Sequence, residues 1–260
     1  MKFKLAVLWT LFLLLPLREV SARLSVALPS APSIPEASEF PLRGWSDTYT
    51  DFIKKRVEQY PEFLAMSGKD VGRLCSNWDQ LDREARKMFW VNFIKSISYG
   101  ESGWVRGEMT QETASNLRMD LATKRAVFSE GLLQISYGSV SLYKKVYQSE
   151  SCDVPFEGDE KSMFVQDARN YKFKHERMSE NANDRELLNP IRNIACSLDI
   201  MYLGYLRKVN DQETEALRKG VAIYWGTLRV GRNGFTNFSE QFKKENKSAP
   251  HPCDFDFSGD

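Results

Sequence analysis

The chain has 260 residues but only two histidines, His175 and His251, and only four cysteines, with no two of these in a C-x-x-C pair. Zinc-site patterns are therefore absent, and no metal or cofactor is expected. An excess of one charge is also lacking. The formal net charge is +1, and it becomes −1 once the first 22 residues, with Lys2, Lys4, Arg18 and Glu19, are set aside. A near-neutral chain offers nothing to nucleic acid or to an anionic membrane surface. Beyond the leader, no apolar run approaches the ~20 residues that cross a bilayer. Internal repeats are missing, and the alternating pattern of strands is weak throughout.

What is present begins with that leader. "MKFK" is basic, "LAVLWTLFLLLPL" is apolar, and Ser21 and Ala22 are small. This is the layout of a secretory signal peptide over 1–22, cleaved after Ala22. Its apolar run is too short for a membrane anchor, and no cysteine near the cleavage point offers a lipid attachment. The mature chain is expected to be exported, to the periplasm or out of the cell, and to act as a monomer.

Residues 23–44 contain four prolines and many small side chains, which predicts a linker or strap rather than a helix. From Trp45 the pattern turns helical. Phe52, Ile53, Val57 and Tyr60 fall at helical spacing. A longer helix is expected after a cap region at Ser76 and Asp79, with Leu81, Ala85, Met88, Phe89, Phe93, Ile94 and Ile97 on one face. Further helical patterns run through "GLLQISYGSVSLYKKVY", through "NPIRNIACSLDIMYLGYLRKV" with Pro190 in its first turn, and through "DQETEALRKGVAIYWG". Residues 150–188 read as long polar loops. The fold class is mainly α, with one domain over 45–260.

Cys75, Cys152, Cys196 and Cys253 form an even set behind a leader, which points to two disulfides. Three pairings are open. Chain position favours Cys152–Cys196, tying the polar loop to the Pro190 helix, and Cys75–Cys253, anchoring the C-terminal tail.

Glu101 sits where the longest apolar run ends, in "FIKSISYGESGW". A carboxyl there is poorly solvated once the helix packs, and burial favours its protonated form. A glycosidase needs that form in its general acid. The alternative is a wet surface carboxylate one residue beyond the packed face.

"ESGW" at 101–104, "GLLQIS" at 131–136, "NPIRNI" at 189–194 and "AIYWG" at 222–226 occur in that order. Over residues 88–230 this resembles the soluble lytic transglycosylases and goose-type lysozymes. The resemblance implies a lysozyme-like helical domain that cleaves the β-1,4 bonds of peptidoglycan between N-acetylmuramic acid and N-acetylglucosamine. It implies Glu101 as the catalytic glutamate and Tyr224 as the tyrosine whose hydroxyl approaches it. Ser102, Gln134 and Tyr137 are assigned to the glycan groove. Leu133 stands where methionine is usual, a change of similar volume. Asn193 matches a structural asparagine. Trp225 replaces the usual asparagine, as either a sugar-stacking ring or a core tryptophan.

The product depends on a second carboxylate. If one lies across the cleft, roughly 6.5–9.5 Å from the acid, it can activate water. If none does, the substrate completes the reaction as an anhydro sugar. Glu108, Glu112, Asp120 and Glu130 are the candidates. The charged stretch between Glu101 and Gly131 also suggests selectivity for modified glycan such as de-N-acetylated walls, through Glu108, Glu112 or Glu130. The other function class is a non-catalytic peptidoglycan-binding or inhibitory protein on the same scaffold.

Overall fold

The structure is a computed structural model and describes residues 27–111, 128–154, 186–230, 233–247 and 253–254. Helix α1 (Asp47–Val57) is followed by short helices α2 (Pro61–Ala65) and α3 (Gly68–Val71) and by the long α4 (Arg83–Ser102). Three short strands come next: β1 (Met109–Gln111), β2 (Phe128–Glu130) and β3 (Ile135–Ser136). They form one antiparallel sheet in the order β1-β2-β3. Helices α5 (Tyr137–Tyr147), α6 (Pro190–Asn210), α7 (Ala216–Val221) and α8 (Asn233–Lys247) complete the chain. Mainly helical architecture is thus observed. Among the described residues no helix is long and apolar enough to cross a membrane.

Helix α4 is the axis of the core. It packs on α1 and on α8, and Phe89, Trp90, Phe93, Ile94 and Ile97 are almost wholly buried. Aromatic rings do most of the filling. Phe63 lies 3.9 Å from Trp90 between centroids, and Phe93 meets Phe238 and Phe242 edge-on. Such rings bury large apolar areas and add pairwise contacts. The cap of α4 is Asp82, which accepts from the Ala85 amide at 2.8 Å. The expected cap region at Ser76 and Asp79 lies one short turn too early. Asp79 is used elsewhere, accepting from Gly68 N–H at 2.9 Å, and Leu81 is extended.

Two other expected helices are shorter than their patterns. The run from Gly131 becomes helical only at Tyr137, because Gly131 (φ +77°) and Gln134 (φ +49°) are left-handed. The run from 211 to 226 is helical only over α7. Helix α8 was not expected from the sequence. Helix α6 begins as expected, with Asn189 accepting from Ile191 and Arg192 amides ahead of Pro190.

Helices α6 and α7 touch backbone to backbone. A Cβ placed on Gly220 would lie 2.4 Å from the Gly204 carbonyl oxygen, so neither glycine can carry a side chain without parting the helices. This contact fixes where the chain emerges from α7 toward Tyr224.

The proline-rich segment is a strap laid along the domain. Arg56 donates to the carbonyls of Ser30 (2.6 Å) and Pro29 (3.3 Å). Asn189 donates to Pro35 O at 2.7 Å. Arg106 N–H donates to Leu42 O, Gly44 N–H donates to Trp104 O, and Arg43 bridges to Val105. The strap therefore ends beside the C-terminus of α4.

Cys75 is bonded to Cys253 and Cys152 to Cys196, the pairing favoured by chain position. The second bond closes a sequence separation of 44. Replacing Cys152 and Cys196 together by serine is expected to destabilise the fold by about 4 kcal/mol in the chain-entropy account. Denaturant unfolding of the double variant against wild type checks this.

Candidate active site

Four separate segments meet at the end of α4. Glu101 is its penultimate residue and is half-buried. Gly103 caps the helix in the left-handed region (φ +61°), with its N–H on Tyr99 O. Trp104 follows with φ +62°. Two left-handed residues in succession turn the chain sharply away, which suits glycine at the first position.

The turn at Gly131–Gln134 is bonded to each of the other segments. Ser102 Oγ lies within hydrogen-bond distance of Leu132 O (2.9 Å) and Ser98 O (3.0 Å). Asn193, wholly buried on α6, accepts from Leu133 N–H at 2.9 Å and donates to Glu130 O (2.9 Å) and Leu187 O (3.1 Å). Trp225 Nε1 donates to Leu133 O at 2.7 Å. The Tyr224 hydroxyl accepts from Ser136 N–H at 2.9 Å. One backbone turn therefore sets the relative positions of α4, α6 and the segment after α7.

Gly131 is required at that turn by its positive φ and by crowding. An added Cβ would lie 2.5 Å from Asn193 Nδ2 and 2.6 Å from Leu187 O. Gly131→Ala is expected to disrupt the turn and to destabilise the fold by more than the ~1 kcal/mol that a Gly→Ala exchange gains at a compatible position. Thermal unfolding of that variant is the check.

The residues assigned to the groove by sequence divide into several groups. Ser102 is 9% exposed, and its hydroxyl serves the backbone rather than a ligand. Gln134 is also buried, and its Nε2 donates to Glu108 O (3.0 Å) and Gly131 O (2.8 Å). Both shape the turn. Trp225 is 2% exposed, with its N–H taken by Leu133 O, so it is a core tryptophan and has no face for a sugar. Tyr137 opens α5, but its side chain lies outside the described residues, as do Glu112 and Asp120. Glu130 is 2% exposed on β2, and Glu108 is half-buried in the turn before β1.

Two features were not read from the sequence. Thr227, in the single helical turn Gly226–Leu228, donates from Oγ1 to Glu101 Oε1 at 3.0 Å. Tyr99, two residues before Glu101, is 45% exposed and lies against Trp104, with centroids 4.9 Å apart. No sequence motif marks Thr227, since the matched segment stops at Gly226. Tyr99 falls on the apolar run and reads as core until the helix is placed.

No protein-family model and no curated protein matches this chain. Among solved structures, it is similar to three forms of the Bdellovibrio protein DslA (Bd0314). A wild-type form and one glutamate-to-glutamine variant each align with a TM-score of 0.48 at 19% identity, covering 76% of this chain and 88% of theirs. A second glutamate-to-glutamine variant aligns with a TM-score of 0.49 at 19% identity, covering 81% of this chain and 94% of its own.

Proposed function

We propose that this chain is an exported, lysozyme-like muramidase that cleaves β-1,4 bonds between N-acetylmuramic acid and N-acetylglucosamine in peptidoglycan, with Glu101 as general acid. The observation that carries this reading is that all four ordered motifs are joined at the Gly131–Gln134 turn, which is bonded to Ser102 next to the half-buried Glu101 at the end of α4. Two disulfides suit an oxidising compartment.

In this mechanism, Glu101 gives its proton to the glycosidic oxygen as the bond from the muramic anomeric carbon to that oxygen breaks. The sugar passes through an oxocarbenium-like state. Glu101, now a carboxylate, takes a proton back from the attacking hydroxyl. That hydroxyl is either water, giving hydrolysis, or the sugar's own 6-hydroxyl, giving the anhydro product. Where a second carboxylate across the cleft activates the water, that group and not Glu101 takes its proton; of the two described candidates Glu108 is half-buried, and Glu130, 2% exposed, has almost no surface to offer a water. The Tyr224 hydroxyl, which accepts from Ser136 N–H at 2.9 Å, is assigned to approach the Glu101 carboxyl. The exposed ring of Tyr99 provides the stacking surface that Trp225 cannot.

Turbidity of a purified peptidoglycan suspension tests the reading. Clearing by the wild-type protein is expected. Sedimentation with the wall but no clearing would favour the non-catalytic binder. We further propose a preference for de-N-acetylated glycan, which matched walls before and after chemical N-acetylation test. Equal rates on both would reject that preference.

A further inference from the structure

We propose that Thr227 is a positioning residue for Glu101, holding Oε1 so that Oε2 carries the transferable proton toward the substrate. The inference rests on the reading of Glu101 as the acid. It assigns a function to a side chain that none of the four motifs includes.

The Thr227 side chain is fixed at two points. Its hydroxyl donates to Glu101 Oε1 at 3.0 Å. Its methyl packs between two glycines from different helices. A Cβ built on Gly100 of α4 would lie 3.4 Å from Thr227 Cγ2, and one built on Gly234 of α8 would lie 3.3 Å from it. Any larger residue at either position would crowd that methyl. Threonine is stiff at χ1, so a seated methyl also aims the hydroxyl. The turn that carries it is fixed in its own right. Leu228 is wholly buried, its N–H donates to Trp225 O, and Trp225 is anchored on Leu133 O. A serine here would supply the hydroxyl, but without the methyl that seats it.

The chemistry favours a donor at this place. A hydrogen bond donated to a carboxyl favours its ionised form. That form appears as the proton leaves for the glycosidic oxygen, so the bond strengthens along the reaction and contributes to rate rather than only to binding. Other ionisable groups lie on the elements around this end of α4. They are Tyr99 on the helix, Arg106 and Glu108 in the turn after it, Glu130 on β2, and Arg43 on the strap. Tyr224 and Arg229 flank the Thr227 turn, and Lys95 pairs with Glu245 between α4 and α8. The test leaves all of these in place.

The test is the pH–rate profile of peptidoglycan solubilisation by wild type, Glu101→Gln, Thr227→Val, Thr227→Ala and Thr227→Ser. A general acid works while protonated, so the rate falls as pH rises through its titration. Removing the donor favours the protonated form. The alkaline limb should therefore move up by roughly half to one pH unit in Thr227→Val, with about a tenfold lower optimum rate. Thr227→Ser, which keeps the hydroxyl without the seating methyl, should bring the limb most of the way back to its wild-type position. If the valine variant does not fold, Thr227→Ala must show the same upward movement. An unmoved limb in a folded variant, with wild type active and Glu101→Gln inactive, would overturn this inference and leave the acid assignment standing. A cleaving Glu101→Gln would instead overturn the assignment of Glu101.

Discussion

Glu101→Gln is expected to fold as wild type, to bind peptidoglycan, and to cleave it at least 10²–10⁴-fold more slowly, the range general acids contribute. The amide has the shape of the carboxyl and keeps an oxygen that can accept from Thr227 Oγ1. It has no proton of suitable acidity to give the leaving oxygen. Stability should change little, because Glu101 is only half-buried and its helix is held by Phe89, Trp90, Phe93, Ile94 and Ile97. Clearing rate, co-sedimentation and melting temperature, measured together, separate lost chemistry from lost folding. Cleavage near the wild-type rate would move the acid to another carboxylate.

A stability effect comparable to loss of the Cys152–Cys196 bond is expected far from that chemistry, at Asp199. Its carboxylate is wholly buried on α6, with Arg56 Nη2 at 3.4 Å from Oδ1. Ser149 donates to Oδ2 at 2.5 Å, and the Tyr60 hydroxyl donates to Oδ1. Arg56 in turn holds Ser151 and the strap carbonyls. One carboxylate thus joins α1, α6, the loop beside Cys152 and the strap. Asp199→Ala strands a buried guanidinium, a change that costs about 3–5 kcal/mol. The melting temperature should fall by roughly 10 °C for a chain of this size.

Burial raises the Asp199 pKa, against the opposing pull of Ser149, Tyr60 and Arg56. A carboxyl raised in the folded state is most stabilising at low pH. Its contribution declines as pH climbs from the unfolded aspartate range through the folded value. Wild type should therefore lose stability relative to Asp199→Asn over that window, and both should be followed by thermal unfolding. Wild type gaining stability relative to Asp199→Asn as pH rises would contradict this placement of the charge.

What the sequence revealed follows from how local each signal is. The apolar run of α4 and the Asn189–Pro190 helix start depend on neighbours within a few positions, and each lies where its pattern puts it. The helical pattern over 131–136 misled because Gln134 adopts a left-handed backbone that its residue type does not announce. The tryptophan after Tyr224 was ambiguous between groove and core. Its burial is decided by Leu133 O, 92 residues away. Thr227 was out of reach for the same reason, since its bond to Glu101 spans 126 positions and needs the turn after α7 to be folded. Strap contacts such as Asn189 to Pro35 O are equally non-local. Proline content could forbid a helix there but could not say what the segment lies against.

Mass spectrometry of the fragments released from purified peptidoglycan is the most direct test of the account. Disaccharide-peptides ending in muramic acid are predicted, either as reducing ends one water heavier or as 1,6-anhydro ends, and absent with Glu101→Gln. Fragments ending in N-acetylglucosamine, cut peptide stems with intact glycan, or no released fragments at all would contradict it.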